Sequence, residues 1–184
     1  GESFCVTVNL SVKELGDRPL MPRLLDGPLR KMSAQMVVEV TESFELHNDT
    51  GAEHALGDLA AAGYRLAIDD FGVGFSNFAR LEQLNPSILK ADRSLVIRAG
   101  QESDGGIAFL SATVSIADSL GCILVAEGVG FAAEAEAVSL LRIPLSQGYL
   151  YYRPMPLTAL QELLDRRSQS DSGSVQSTPG NRAK

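Results

Sequence analysis

Hydrophobic residues along this chain fall into short apolar runs that alternate with longer stretches of helical character. Apolar runs of about four to eight residues, bounded by turn residues, are typical of buried parallel strands. The pattern predicts strands at Cys5–Leu10, Met36–Thr41, Arg65–Asp69, Ile88–Asp92, Cys122–Glu127 and Ser146–Tyr151. It predicts helices at Ala52–Ala62, Asn77–Leu84, Ile107–Leu120, Phe131–Leu141 and Leu157–Arg167, with a shorter turn at Pro22–Asp26. Repeated strand–helix units predict an α/β fold, either a doubly wound sheet or a (β/α)8 barrel.

The chain supplies fewer strands than a closed barrel contains. A (β/α)8 barrel has eight strands, whereas the apolar runs predict six. The first predicted strand begins almost at the first residue, so we expect strands upstream in a longer protein and an incomplete barrel domain in residues 1–167. Residues 168–184 are rich in Ser and lack an apolar cluster, which predicts a disordered tail.

Composition narrows the possible partners and the compartment. Sixteen basic and 23 acidic residues give a net charge of −7, which argues against a surface that binds DNA or RNA. No apolar run reaches the ~18 residues of a membrane span, and no signal peptide is visible. Cys5 and Cys122 each lie in an apolar run, so we expect buried, reduced thiols in a cytoplasmic protein. Only His47 and His54 accompany these distant cysteines, so no zinc site is indicated.

The most informative stretch joins an apolar strand to a pair of acids. Asp69 and Asp70 end the strand, Gly72 and Gly74 then free the backbone, and Ser76 is a residue type that caps helices. Adjacent carboxylates repel each other, and a divalent metal ion is an effective compensation. The alternative is a surface turn, because Asp and Gly are also common turn residues.

Polar side chains stand at or near the end of each predicted strand. They are Asn9, Glu39, Asp69, Lys90, Glu127 and Gln147. The carboxyl ends of the strands in α/β folds converge on one face, so we expect these groups to meet there. Asn, Glu and Asp supply oxygen ligands suited to Mg²⁺ or Mn²⁺, and a neighbouring Lys can bind a phosphate or a metal-bound water. The predicted chemistry is metal-assisted hydrolysis of a phosphate ester.

Six motifs follow one another over about residues 4–160. They are Val8-Asn-Leu-Ser11, Glu39-Val-Thr-Glu-Ser43, Asp69-Asp-Phe-Gly-Val-Gly-Phe-Ser76, Leu89-Lys-Ala-Asp-Arg-Ser94, Val125-Ala-Glu-Gly-Val129, and Gln147-Gly-Tyr-Leu with Arg153-Pro-Met-Pro156. In order and spacing they resemble the EAL domain, a bacterial phosphodiesterase family that opens cyclic di-GMP to linear pGpG. The resemblance implies a TIM-like (β/α)8 barrel that acts in bacterial signalling.

The resemblance also implies roles for individual residues. It implies metal ligands at Asn9, Glu39, Asp69, Asp70 and Glu127, with Asp70 bridging two Mg²⁺ or Mn²⁺ ions and Ca²⁺ inhibiting. It implies a catalytic group made of Lys90, Glu127 and Glu42, in which Lys90 acts near the attacking water and Glu42 steadies the loop after Asp70. Substrate-binding or supporting positions are implied at Phe71, Gly72, Gly74, Ser76, Asp92 and Gln147. An EAL-type homodimer and an upstream regulatory domain are implied partners.

The chain departs from the family pattern at several positions. The tripeptide Glu-Ala-Leu, whose glutamate is a metal ligand in the family, does not occur in this sequence. Gly130 stands where a second acid is expected after Glu127, and Val73, Phe75 and Ala91 are milder changes. Three interpretations stay open: a fragment of a cyclic di-GMP phosphodiesterase that is weakly active or inactive alone, a catalytically inactive module that binds the nucleotide or a partner protein, and an unrelated metal-dependent barrel.

Overall fold

The computed structural model describes residues 5–16, 19–41, 50–74, 78–101 and 105–173. The described residues contain a six-stranded sheet whose strands are all parallel and pair in the order of the sequence. The strands are β1 (Val6–Asn9), β2 (Met36–Thr41), β3 (Arg65–Phe71), β4 (Ile88–Ala91), β5 (Ile123–Ala126) and β6 (Leu145–Ser146). Sequential parallel order is the arrangement of an incomplete (β/α)8 barrel, so the barrel prediction is confirmed. The doubly wound alternative is wrong, because its strand order would reverse.

Helices occupy the connections between successive strands, and a last helix follows β6. They are α1 (Val12–Leu15), α2 (Leu20–Leu25), a 3₁₀ helix (Pro28–Gln35), α3 (Thr50–Ala61), α4 (Phe78–Leu84), α5 (Arg93–Gly100), α6 (Gly106–Leu120), α7 (Ala132–Leu140) and α8 (Leu157–Gly173). The sequence pattern predicts α3, α4, α6 and α7 close to these bounds, and it predicts the start of α8 but ends that helix at Arg167. Pro22–Asp26, predicted as a short turn, overlaps the second half of α2. The pattern misses α1, the 3₁₀ helix and α5, which are short and carry little helical periodicity.

Two of the missed helices begin at recognisable caps. The α1 helix begins after Ser11, whose amide and hydroxyl donate to Glu14 Oε2 at 2.8 and 2.6 Å. This pair forms a capping box at the Ser-x-x-Glu spacing. The α5 helix begins after Asp92, whose carboxylate accepts from the Ser94 amide at 2.8 Å. Asp92 is therefore a helix cap and not the last residue of a strand, as the apolar run had predicted.

Strand β6 is shorter and begins earlier than predicted. It covers Leu145–Ser146, whereas the apolar run predicts Ser146–Tyr151. The chain turns at Gly148, whose carbonyl accepts from the Tyr151 amide at 3.1 Å. A Cβ on Gly148 would lie 2.1 Å from the carbonyl oxygen of Val129, so only glycine allows this close approach of two backbones.

The core of the sheet is made by residues on both faces of the central strands. In β2, Val37 and Val38 point to opposite faces, and each is at most 2% exposed. Burying a Val or Leu side chain fully contributes about 1.5–3 kcal/mol. The two edge strands are less buried than the central ones, since Val6 of β1 is 43% exposed and Leu145 of β6 is 50% exposed. The middle strands, which carry most of the polar residues described below, are therefore better buried than the edges of the sheet.

The remaining predictions on the fold have mixed outcomes. Cys5 and Cys122 are not joined in a disulfide bond, but each is only partly buried, so the prediction that both are buried is wrong. The chain divides into two compact units, Gly1–Tyr151 and Tyr152–Lys184. In the second unit α8 continues to Gly173, so residues 168–173, predicted to be disordered, are helical. The domain boundary predicted after residue 167 stays a prediction. No helix among the described residues is long and apolar enough to cross a membrane.

Candidate metal and catalytic site

Polar residues from five strands meet at the carboxyl edge of the sheet. Asn9, the last residue of β1, pairs in register with Glu39 of β2. Asp69 lies near the end of β3, Lys90 is the penultimate residue of β4, and Glu127 directly follows β5. Because the strands are all parallel, their carboxyl ends lie along one edge. The convergence expected from the sequence is therefore present in the backbone.

The ammonium group of Lys90 connects three of these acids. Its Nζ atom lies 2.9 Å from Glu39 Oε2, 2.9 Å from Asp69 Oδ1 and 2.6 Å from Glu127 Oε1. The exposed fraction of the side chain is 7% for Lys90 and 5% for Glu39. An ammonium has three protons to donate, so every donor of this buried cation has a carboxylate partner. The lysine thus fixes the positions of acids from three different strands.

The charge balance in this cluster perturbs two pKa values. Burial alone would lower the pKa of the Lys90 ammonium, but its hydrogen bonds to the three carboxylates outweigh this effect and raise the pKa. Burial raises the pKa of the Glu127 carboxyl, and the neighbouring charge of Asp69 adds to this against the lowering effect of Lys90. Perturbed pKa values of this kind are typical of functional sites. The acids outnumber the single lysine, so the cluster can accommodate a further cation.

A β-bulge in β3 determines the direction of the paired acids. Ile68 pairs with Leu89 and Phe71 pairs with Ala91, so β3 holds one more residue than β4 over this interval. Asp70 adopts a φ of 55°, and its amide donates to Asp69 Oδ1 at 3.0 Å. Consecutive side chains of a regular strand point to opposite faces, whereas a bulge redirects one of them.

The redirected acid completes a compact group of oxygen atoms. Asp69, Asp70 and Glu127 each offer a carboxylate oxygen, and these atoms lie within 4.8 Å of one another. Left-handed backbone costs an L-residue about 1–2 kcal/mol, although Asp tolerates it better than most. Strain of this kind is commonly retained at functional sites.

Gln147, which directly follows β6, contacts Glu127 on the side away from β4, the strand that carries Lys90. Its amide nitrogen Nε2 donates to Glu127 Oε1. The backbones of the two loops are also joined, since the Val129 amide donates to the Gln147 carbonyl at 3.0 Å and the Leu150 amide donates to the Val129 carbonyl at 3.0 Å. The supporting position expected of Gln147 therefore has a direct contact with an acid of the cluster.

Other residues singled out in the sequence lie around this cluster. Phe71 is 4% exposed and belongs to the core, and its carbonyl accepts from the Asp92 amide at 3.1 Å. Gly72 has a φ of 103°, and a Cβ there would lie 2.5 Å from Leu95 Cδ1. These two residues thus shape the loop after the acids through packing. The Asp92 carboxylate is engaged as the cap of α5, and its supporting role in the site stays a prediction.

Three predicted site residues remain, which are Glu42, Gly74 and Ser76. Gly74 is exposed in the loop after Asp70. Glu42 and Ser76 lie outside the residues that the structure describes. Their roles in steadying and forming this loop stay predictions.

Sequence reasoning missed one buried acid next to the cluster. Glu134 is 6% exposed, and its Oε2 accepts from the amides of Gly130 at 2.6 Å and Phe131 at 3.1 Å. A Glu three residues after a helix N-cap is a known capping signal. The signal was hidden because Phe131, a residue without a polar side chain, occupies the N-cap position.

The donor set fits a hard divalent cation. Asp69, Asp70 and Glu127 present only carboxylate oxygens, which Mg²⁺, Mn²⁺ and Ca²⁺ prefer over nitrogen or sulfur ligands. Within the described ranges, these three residues are the group of acids close enough to share an ion. Glu39 is tied to the same cluster through Lys90. The arrangement can therefore hold a metal ion, as metal-assisted phosphate chemistry requires. A buried ammonium group lies beside it.

Comparison with known proteins identifies relatives over most of the chain. The family model described as "EAL domain" matches residues 1–154. The bifunctional diguanylate cyclase/cyclic di-GMP phosphodiesterase MucR of Pseudomonas aeruginosa is 34% identical over 157 residues, which cover 84% of this chain and 23% of MucR. The cyclic di-GMP phosphodiesterase NbdA of the same organism is 36% identical and covers 89% of this chain and 21% of NbdA. The chain thus spans less than a quarter of the length of these curated relatives.

Solved structures give the same family. The c-di-GMP complex of the PaMucR phosphodiesterase superposes with a TM-score of 0.76 at 34% identity, covering 85% of this chain and 70% of that chain. The EAL domain of Mycobacterium smegmatis DcpA gives a TM-score of 0.79 at 27% identity, covering 88% and 73%. A manganese/cy-diGMP complex of Klebsiella pneumoniae BlrP1 gives a TM-score of 0.72 at 31% identity, covering 80% and 38%.

Proposed function

This chain belongs to the EAL domain family, and we propose that it is the metal-binding part of a phosphodiesterase that hydrolyses cyclic di-GMP to linear pGpG. The observation that carries the proposal is the group of carboxylate oxygens from Asp69, Asp70 and Glu127, within 4.8 Å of one another and beside the buried ammonium of Lys90. The names of MucR and NbdA support the substrate, since both are called cyclic di-GMP phosphodiesterases.

The proposed metal ligands are Asn9, Glu39, Asp69, Asp70 and Glu127. Mg²⁺ or Mn²⁺ bound there would supply Lewis-acid stabilisation of the phosphoryl oxygens. Asp70, redirected by the bulge, is the acid proposed to be shared between two ions. We propose Ca²⁺ as an inhibitor, because its larger and looser coordination orients a water less well. The BlrP1 structures include both a manganese and a calcium complex, which supports a site open to either ion.

Lys90 and Gln147 are proposed to act on the groups around the reacting phosphate. In the structure the three protons of the Lys90 ammonium face carboxylates of Glu39, Asp69 and Glu127. Metal ions bound by these acids would compete for the same oxygens, and the ammonium could then hold the attacking water or a phosphate oxygen in place. Gln147 donates to Glu127 and keeps this carboxylate in one orientation. Orientation of reacting groups is worth several orders of magnitude in rate, so a displaced Glu127 would reduce turnover strongly. Glu42 is proposed to steady the loop after Asp70.

A second candidate function is a catalytically inactive module that binds cyclic di-GMP or a partner protein. Two features of the sequence favour it: the tripeptide Glu-Ala-Leu does not occur, and Gly130 contributes no carboxylate. A site with fewer acidic ligands binds a divalent ion more weakly. We therefore propose that this chain by itself hydrolyses cyclic di-GMP slowly or not at all. The homodimer and the regulatory domain implied by the resemblance stay predictions, as does the cytoplasmic location expected from the cysteines.

The test is to chromatograph the products formed from cyclic di-GMP with Mg²⁺, Mn²⁺ or Ca²⁺. This chain is compared with a longer version fused at its N-terminus to a segment that carries the tripeptide Glu-Ala-Leu. We expect rapid, Mn²⁺-dependent release of pGpG from the longer protein and at most slow release from this chain. Rapid release by this chain alone would mean that another residue replaces the missing carboxylate. Absence of pGpG from the fused protein, with cyclic di-GMP still bound, would favour the inactive module.

A further inference from the structure

The loop between β5 and α7 carries Glu127 and is fastened by a second, buried carboxylate. Glu134, in the first turn of α7, is 6% exposed and accepts two backbone hydrogen bonds through Oε2. The donors are the amides of Gly130 at 2.6 Å and Phe131 at 3.1 Å. Hydrogen bonds to an ionised acceptor are about twice as strong as neutral ones.

Glu134 accepts these hydrogen bonds because the N-cap position of α7 lacks a polar side chain. Helix N-caps are commonly Ser, Thr, Asp or Asn, whose side chains satisfy the free amides of the first turn. Phe131 occupies that position and has no side-chain acceptor. The carboxylate of Glu134 reaches back instead, and the helix dipole favours a negative charge there.

Two glycines lie close to the Glu134 side chain. A Cβ on Gly100 of α5 would lie 2.8 Å from Glu134 Cγ, so glycine allows α5 to approach the stem of this side chain closely. A Cβ on Gly130 would lie 3.7 Å from Glu134 Oε2. An acidic side chain at position 130 would therefore start beside the Glu134 carboxylate and repel it. Gly130 and Glu134 fit each other as a pair.

The backbone between Glu134 and Glu127 leaves little freedom. Gly128 has a φ of 68°, and a Cβ there would lie 2.5 Å from Arg93 Cγ. Val129 is fully buried and is held on both sides by backbone hydrogen bonds to the loop after β6. The Gly130 amide, bound by Glu134, comes next in the chain. Gly128 is thus closely approached by Arg93, Val129 is held by backbone hydrogen bonds, and Glu134 binds the next amide in the chain.

From these contacts we propose that Glu134 is a positioning residue for Glu127. It acts through the amides of Gly130 and Phe131, which hold the loop so that the Glu127 carboxylate faces Lys90 and the other acids. The expected effect of Glu134 on metal binding rests on the metal site proposed above. The expected effect of Glu134 on the loop conformation does not depend on that site.

The first experiment compares three variants by Mn²⁺ titration calorimetry on this chain. Glu134→Met removes the acceptor and keeps the length of the side chain, Glu134→Gln keeps an acceptor oxygen, and Glu136→Met changes an exposed residue of the same helix. Residues that orient a metal ligand typically contribute about 10–100-fold in metal affinity. We expect a loss in this range for Glu134→Met, a smaller loss for Glu134→Gln, and no change for Glu136→Met.

The second experiment asks whether the effect passes through Glu127. In a Glu127→Gln background, Glu134→Met should no longer change the Mn²⁺ affinity, because the oriented carboxylate is gone. An equal loss in both backgrounds would overturn the proposal. The proposal would also be overturned if Glu134→Met lowered the melting temperature but left the Mn²⁺ affinity unchanged. Glu134 would then only stabilise α7.

Amide hydrogen exchange separates this proposal from the proposed function. If the wild-type chain does not bind Mn²⁺, the metal site is wrong, but the loop can still be examined. Glu134→Met should then speed exchange at Gly130 and Phe131 by at least about tenfold, while Glu136→Met leaves it unchanged. Unchanged exchange at these two amides would overturn the positioning role whether or not metal binds.

Discussion

Replacing Lys90 by Met removes the charge that holds three carboxylates together while keeping a side chain of similar length. In the structure the ammonium contacts Glu39 and Asp69 at 2.9 Å and Glu127 at 2.6 Å. Without it, acids from β2, β3 and the end of β5 face one another with no cation between them. We therefore expect Lys90→Met to destabilise the chain in metal-free solution.

The expected loss of stability depends on how deeply Lys90 and its carboxylate partners are buried. Removing one partner of a buried ion pair costs about 3–5 kcal/mol, because the other charge is left uncompensated. Lys90 and Glu39 are 7% and 5% exposed, but Asp69 and Glu127 keep 15% and 14% of their side chains exposed. Water screens these two acids in part, so we expect the lower end of the range, about 3 kcal/mol of the free energy of unfolding.

The assay is urea unfolding with EDTA and again with saturating Mn²⁺. Lys31→Met, at an exposed position in the 3₁₀ helix, is the matched control. In EDTA we expect Lys90→Met to lose about 3 kcal/mol more than Lys31→Met. Mn²⁺ should restore part of the loss, because an ion bound by the same acids replaces the missing charge. Equal stability of the two variants in EDTA would refute the account of Lys90 as the electrostatic centre of the cluster.

Asp70→Asn should weaken Mn²⁺ binding in titration calorimetry by more than the about 10–100-fold typical of residues that only orient a ligand, since it removes a ligand charge while Asn tolerates the same positive φ. Asp118→Asn on α6 is its control, and equal affinities would remove Asp70 from the site. Gly148→Ala should cost about 1–3 kcal/mol in urea unfolding, because a Cβ there would collide with the Val129 carbonyl. Gly130→Ala meets only ordinary contacts and should change stability by less than about 0.5 kcal/mol, so equal losses in both variants would contradict the packing argument.

Strand positions were predictable where both faces of a strand are buried. In β2 the apolar run Met36–Thr41 coincides with the strand, because residues on both faces are covered. At β6 the same reasoning is wrong, since apolar residues after Gly148 form a turn that glycine makes possible. An apolar run shows that residues are favourable to bury, but it does not show where the backbone bends. The α5 helix was missed for a related reason, because its Asp92 cap directly follows an apolar strand.

The identity of the site residues was more predictable than their geometry. Parallel strand order is enough to bring Glu39, Lys90 and Glu127 to one edge, and the contacts between them follow from this convergence. The bulge at Asp69 and Asp70 could not be predicted, because a regular strand would send these two side chains to opposite faces. Whether a strand takes up an extra residue depends on its partner strand, which local sequence does not specify.

Metal-dependent binding of cyclic di-GMP to this chain tests the central claim most directly. The measurement is titration calorimetry with cyclic di-GMP in Ca²⁺, which is expected to support binding without cleavage, with EDTA and the Asp70→Asn variant as controls. The account predicts saturable binding in Ca²⁺ that disappears in EDTA and weakens strongly in Asp70→Asn. The reason is that the acids at the ends of β3 and β5 are proposed to hold the ion that the phosphates would contact. Equal binding in EDTA, or no binding with any divalent ion, would contradict it.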